Sequence, residues 1–238
     1  MADKKSLIII PAYNEEKAIG GVVAKACALG FHVVVVDDCS RDQTGRVARE
    51  AGAVVLRHPT NLGYGSGLQT GYRYALLNGY PDVVQLDGDG QHDPQGALDL
   101  LRTLRTGECD LVLGSRFLHS ESYRVSGLRR LGQNYFIMLL RMFTGWRLTD
   151  PTSGFQAMTA DVMRFYCTPI YPNDFPDANI LMLLHRQGFR VREVPVRMHA
   201  SQTGSMHSGL LRPAYYMIRM TLSFFIAMLL KLPTEHRK

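Results

Sequence analysis

Short apolar runs recur along the first 115 residues at Leu7–Ile10, Val33–Val36, Val54–Leu56, Val83–Leu86 and Leu111–Leu113. Segments with helical spacing separate them, at 15–29, 43–51, 66–78 and 94–106. Runs this compact, without polar alternation, fit strands buried on both faces. Strand and helix in strict alternation predict an α/β fold around a doubly wound, mostly parallel sheet. Right-handed crossovers then gather the strand C-termini along one edge, and ligands of such sheets bind there.

Past residue 115 the rhythm breaks. Leu128–Trp146 reads as a helix mixing apolar and Arg positions, 150–158 as a turn followed by extended chain, Asp177–Gln187 as a helix and Phe189–Val196 as a strand. Ala200–Gly209 is rich in Ser, Gly and Thr and is expected to be a mobile loop. The tail from Leu210 is an amphipathic helix whose run Met220–Leu230 is shorter than the roughly 20 residues that span a bilayer. Cations flank it, so a helix lying in a membrane interface is expected, against the alternative of one packed on its own domain. The division that follows is 1–118 for a first half, 119–208 for a second half of the same domain, and 209–238 for the interface helix and tail.

Composition narrows the class. The apolar fraction of 46% and charged fraction of 20% are those of a globular chain, and 238 residues can bury a core without staples. Cys27, Cys39, Cys109 and Cys167 form no CxxC pair, so zinc and redox motifs are lacking and a reducing cytoplasm is expected. Of the formal charge of +6, residues 116–147 and 197–238 each contribute +5, leaving an acidic front half. A basic back half suggests an anionic partner, either nucleic acid or a membrane surface.

The strand ends carry the chemistry. The first run leads into Pro11-Ala12-Tyr13-Asn14-Glu15-Glu16, the second into Asp37-Asp38-Cys39-Ser40, the fourth into Asp87-Gly88-Asp89-Gly90-Gln91-His92-Asp93. Carboxylates crowded on one edge call for a cation or sugar hydroxyls. Asp-x-Asp arises about once by chance in such a chain, but this copy sits where a buried strand emerges. In extended chain, residues two apart share a side, so Asp87 and Asp89 can act together, with the Gln91 amide next in line. Such a pair suits Mg²⁺ or Mn²⁺, completed by phosphate and water. Asn61-Leu62-Gly63-Tyr64-Gly65-Ser66-Gly67 opens a helix with three alternating glycines. Its backbone can approach a ligand closely, which makes Gly65 a candidate contact for an anionic ligand. It is neither GxGxxG nor a Walker loop.

Taken together, I-I-I-P-A-Y-N-E, V-V-V-V-D-D-C-S-R-D-Q-T, N-L-G-Y-G-S-G-L-Q-T-G, Q-L-D-G-D-G-Q-H-D-P, L-G-S-R-F, D-P-T-S-G-F and R-E-V-P-V resemble the inverting family 2 glycosyltransferases of GT-A fold. The likeness is nearest to polyprenyl-phosphate sugar transferases of the dolichyl-phosphate-mannose synthase type. It implies that Pro11, Tyr13, Glu15 and Asp37 hold the nucleotide and that Asp87 reaches the donor. It gives Asp89 and Gln91 to the metal, Arg116 to a phosphate, and Arg130 to the acceptor phosphate. Asn134 stands where these synthases often carry Ser, and Gln156 where Arg is frequent. Beyond Glu193, Ser201 replaces a usual lid Arg, with His199 and His207 nearby; His207 is a possible diphosphate contact.

The expected activity is metal-dependent transfer of a hexose from a UDP- or GDP-linked donor to a polyprenyl phosphate at the cytoplasmic membrane face. The resemblance thus favours the membrane over nucleic acid and leaves room for a separate membrane subunit. An alternative acceptor is a saccharide hydroxyl in cell-surface polysaccharide synthesis, which would need a carboxylate base, Asp177 or Asp150. A sugar-1-phosphate nucleotidyltransferase would need a basic glycine-rich loop at 11–15, which is lacking; a binding-only scaffold has no use for the Asp87/Asp89/Gln91 set.

Overall fold

The computed structural model describes residues 6–118, 127–172, 176–198 and 211–232. The order of elements is β1 (Leu7–Ala12), α1 (Ile19–Ala28), β2 (His32–Asp37), α2 (Thr44–Glu50), β3 (Val54–Arg57), α3 (Tyr64–Leu77), β4 (Asp82–Gln85), α4 (Gly96–Leu104) and β5 (Leu111–Ser115). There follow α5 (Gly127–Thr144), β6 (Gln156–Thr159), α6 (Ala160–Tyr166), α7 (Ala178–Arg186), β7 (Val191–Pro195) and α8 (Leu211–Leu229). One sheet of order β3-β2-β1-β4-β6-β5-β7 contains them all, with only β6 running against the rest. The parallel, doubly wound expectation holds.

Alternate strand residues feed opposite faces, as the two-residue period of a strand requires. Leu7, Ile9, Val34, Val83, Leu113 and Met158 pack under α3 and the helices from α5 onward. Ile8, Ile10, Val33, Val35, Val84 and Val112 pack under α1, α2 and α4. Strand order reverses at β1, between β2 on one side and β4 on the other, which is where a crevice opens.

Three sequence expectations shift. The first helix starts at Ile19 rather than residue 15, after a turned segment over Thr44 and Asp42. Helix α6 was not anticipated; its seven residues are too few to show a period. Helix α3 begins at Tyr64, so Gly65 and Gly67 lie inside its first turn instead of leading into it. Only Gly63, at φ 93°, needs the freedom of glycine for its backbone angle. Farther along α3, a Cβ at Gly71 would collide with Ile9 Cγ2 on β1, so this glycine sets how closely helix and sheet approach. Gly71→Ala is expected to cost about 1–3 kcal/mol by overpacking. Urea denaturation checks this, and an unchanged midpoint would show that α3 slides aside freely.

Helix α8 combines both readings of the tail. Met220, Phe224 and Ala227 are buried in the core, while Ile218, Leu222, Phe225, Ile226 and Leu229 are exposed. Its neighbour α5 runs the same way: Gly132 abuts Met217, Thr221 donates a hydrogen bond to the Tyr135 hydroxyl at 3.3 Å, and the Phe143 ring lies 6.0 Å from Phe224. At 3.6 residues per turn, exposed Leu131, Met138 and Met142 of α5 turn to the same side as the exposed stripe of α8. The two helices thus present one apolar face. Exposed Arg130 and Arg141 stand on its α5 edge and exposed Arg219 on its α8 edge. Among the described residues no helix is long and apolar enough to cross a membrane.

Candidate active site

The loops after β1 and β2 form one wall of the crevice, because their polar backbone groups satisfy each other. Asn14, at φ 57°, donates its N–H to Ser40 Oγ at 3.0 Å and accepts the Arg41 N–H at 2.8 Å. The Glu15 N–H donates to Thr44 Oγ1 at 2.7 Å. Pro11 lies in β1, and the Tyr13 ring stands 41% exposed beyond it. Asp37 reaches the same rim, but its carboxylate is wholly buried, accepting the Ser40 N–H at 2.9 Å and pairing with Arg57 at 3.3 Å. As placed here, Asp37 shapes the wall rather than facing the crevice.

The neighbouring Asp38 was passed over in the sequence, yet it does the most to fix the glycine-rich segment. It accepts the N–H groups of Leu62 and Gly63 at 2.8 and 2.9 Å and pairs with His58 at 2.7 Å. That grip delivers the N-terminus of α3, with Gly65 in its first turn, to the crevice.

Opposite stands the loop after β4. Gly88 lies against Ala12, so the Asp87–Asp89 segment crosses the end of β1. Asp87 is gripped on both oxygens, by the Tyr64 hydroxyl at 2.8 Å and His92 Nε2 at 3.1 Å. His92 is buried against the Phe155 ring, centroids 5.0 Å apart, and its Nδ1 has no hydrogen-bond partner among the described residues. Gly154 of the D-P-T-S-G-F string leaves the room Asp87 occupies, since a Cβ there would come within 2.8 Å of the carboxylate. Tyr64, His92 and Gly154 were all present in quoted strings, but only contact geometry assigns them to Asp87.

The two carboxyls differ in acidity. Burial opposes ionisation of Asp87, but the His92 and Tyr64 hydrogen bonds and the Arg116 charge outweigh it and hold Asp87 below its ordinary value. Burial, with the Asp87 charge adding to it, holds Asp89 above its ordinary value despite the Gln91 N–H that it accepts at 2.9 Å. Asp89 is the carboxylate with most to gain from a cation. The Gln91 side chain is half-buried beside it. Among the described residues no three His, Cys, Asp or Glu side chains form a closed metal cage. An open carboxylate pair fits a cation that completes its shell with phosphate and water.

The third wall departs from expectation. Arg116 is buried and forks onto Asp150, at 2.6 Å from Nε and 2.7 Å from Nη2. Its Nη2 also approaches Thr152 Oγ1 at 3.4 Å, which the Gln133 amide reaches from α5. Asp150 is 0% exposed and fully engaged, so it is no candidate base. Glu193 pins the same segment, accepting the N–H groups of Thr149 and Asp150 at 2.7 and 2.8 Å. Gln156, where Arg was expected, is buried and donates to the Ser153 carbonyl, outside the crevice. Asp177 caps α7. Arg130 and Asn134 are exposed one helical turn apart on α5 and line a cavity of ≈ 460 Å³. His199, Ser201 and His207 lie outside the described residues.

Comparisons with known proteins agree with this geometry. The family model for glycosyl transferase family 2 matches residues 7–167. The undecaprenyl-phosphate mannosyltransferase of Micrococcus luteus is 31% identical over 215 residues, covering 83% of this chain and 85% of that protein. The UDP-N-acetylglucosamine–dolichyl-phosphate N-acetylglucosaminyltransferase of Methanococcus voltae is 26% identical over 220 residues, covering 83% and 86%. Glucosyl-3-phosphoglycerate synthase of Mycobacterium tuberculosis, solved with phosphoglyceric acid, superposes with a TM-score of 0.74 at 22% identity, covering 97% of this chain and 82% of its own. The same synthase has been solved with Mn²⁺ and UDP. With its family motifs set around one crevice at the strand-order reversal, this chain belongs to glycosyl transferase family 2 and is a glycosyltransferase of GT-A fold.

Proposed function

We propose that the enzyme moves a hexose from a nucleotide sugar to a polyprenyl phosphate, with inversion at the anomeric carbon, on the cytoplasmic face of a membrane. The observation that carries the reading is the Asp87–Asp89 pair, poised across from the N-terminus of α3 at the switch point. The names of the relatives from M. luteus and M. voltae support a lipid-phosphate acceptor. The synthase solved with Mn²⁺ and UDP supports a metal-bound nucleotide.

In this reading Pro11, Tyr13 and Glu15 hold the base and ribose from one wall, while the first turn of α3 offers N–H groups to the diphosphate. Mg²⁺ or Mn²⁺, held by Asp89 with Gln91 or Asp87, would supply positive charge to the departing diphosphate. Asp87, kept ionised by Tyr64 and His92, orients the donor on its sugar side. A phosphate oxygen of the acceptor attacks the anomeric carbon as the carbon–oxygen bond to the diphosphate breaks. That oxygen is already anionic near neutral pH, so no strong base is required. Arg130 and Asn134 steer the acceptor phosphate. Arg116 acts on the site through its field and through the loop that it fixes.

The apolar face of α5 and α8, edged with Arg130, Arg141 and Arg219, supports docking at the headgroup level. The test combines transfer and docking. With UDP- and GDP-hexoses, polyprenyl phosphate and Mn²⁺, the expected product is a lipid phosphate heavier by one hexose. Turnover only with soluble saccharides would overturn the acceptor. A Leu222→Glu/Phe225→Glu variant is expected to leave anionic vesicles, and added salt to weaken wild-type binding. Equal sedimentation of variant and wild type would overturn the docking face.

A further inference from the structure

The cavity beside α5 holds more positive charge than one acceptor phosphate requires. Arg130, Arg141 and Arg147 line it and, among the described residues, no carboxylate does. None of the three guanidiniums forms an ion pair among the described residues. The carboxylates that hold the adjoining 149–150 segment, Asp150 and Glu193, are already committed to Arg116 and to the backbone of Thr149 and Asp150. Arg130 and Arg141 lie eleven residues apart on one helix, about 16 Å along its axis. Backbone positions that far apart leave room for two anions along the cavity. Arg130 sits near Gln133, which leads through Thr152 to Arg116, and so belongs to the crevice end. Arg141 and Arg147 lie at the other end with Leu148 as an apolar wall.

We infer that Arg141 and Arg147 form a second lipid-phosphate subsite that takes the phosphodiester headgroup of an anionic phospholipid, separate from the acceptor phosphate at Arg130. Guanidiniums suit the phosphodiester, each able to offer two parallel N–H donors. The apolar stripe of Leu131, Met138 and Met142 lies beside Arg141 on the same helix, so the acyl chains of the occupant continue onto the docking face. The subsite rests on the membrane reading for the source of its ligand, but on no part of the transfer chemistry. A bound phospholipid would fix the distance of the crevice from the headgroups while leaving Arg130 free for each incoming acceptor.

The probe is dihexanoyl phosphatidylglycerol below its micelle concentration, titrated calorimetrically into the full chain with neither nucleotide nor polyprenyl phosphate present. Saturable binding is expected. Arg141→Gln/Arg147→Gln should weaken it at least about tenfold, because the charged hydrogen-bond donors to the phosphodiester are lost. Arg130→Gln should weaken it much less, and Arg147→Lys should fall between wild type and the double variant. Circular dichroism verifies that each variant is folded. Equal binding of dihexanoyl phosphatidylcholine would overturn the inference. So would competition by inorganic phosphate at the same concentration as the lipid, or an equal loss in Arg130→Gln. Retained phosphatidylglycerol binding without any transfer to polyprenyl phosphate would sink the acceptor reading alone; transfer without saturable binding would sink the subsite alone.

Discussion

Asp89→Ala is expected to lower turnover at least about a thousandfold while leaving the fold intact. A metal that neutralises a departing diphosphate contributes several kcal/mol to the transition state, and each 1.36 kcal/mol is a factor of ten. Among the described residues the half-buried Asp89 side chain accepts one local hydrogen bond, from the Gln91 N–H, so its removal costs little structure. Asp87 is a poorer test. Its loss would also strand the Tyr64 hydroxyl and His92, mixing structural damage with chemistry. The readout is product formation against Mn²⁺ concentration, with the melting midpoint as a control. Full activity at every metal concentration would overturn the assignment of Asp89. Acidification should mimic the variant. Burial and the Asp87 charge hold the Asp89 carboxyl above its ordinary value, so its charge is lost at a higher pH than that of an exposed aspartate. Metal affinity should fall with it.

The contrast between these two aspartates also marks what was legible in the chain. The alternation of buried runs with helical segments is a long-range pattern, and it gave the sheet, its parallel sense and the shared edge. Asp87 and Asp89 were legible as edge positions because they follow closely on a strand. Asp37 and Arg116 were legible as rim positions, but not the direction of their side chains. Position along a strand locates an α-carbon; a carboxylate then turns toward whichever donors surround it, here Ser40 and Arg57 for Asp37. The roles of Asp38 and Gly154 stayed hidden for the same reason: each acts on a residue distant in sequence, at Leu62 and Gly63 and at Asp87. The tail posed a two-way choice because a helix can bury one stripe in its own domain and present another outward, and α8 does both.

The Arg116–Asp150 fork yields the largest stability effect. Asp150→Asn is expected to destabilise the protein by about 3–5 kcal/mol, since it leaves a buried guanidinium without its counter-charge. At this chain length that lowers the melting midpoint by roughly 6–20 °C. Both side chains are nearly solvent-free, at 6% and 0% exposure, so water cannot take the place of the lost carboxylate. The pair joins the end of β5 to the 149–153 segment, which Glu193 holds from β7. Loosening it should therefore disturb Gly154 and, through it, the seat of Asp87. Replacing both partners with apolar residues separates the two effects. Arg116→Met/Asp150→Leu should recover much of the stability, because the cost of an unpaired buried charge disappears. Activity should not return if the field of Arg116 at Asp87 is needed, and should return if the arginine serves only to brace the loop. A stable but inactive double variant would keep Arg116 in the chemistry. If Asp150→Asn melted like the wild type, the fork would have no structural weight, and Arg116 would be free to meet a phosphate directly.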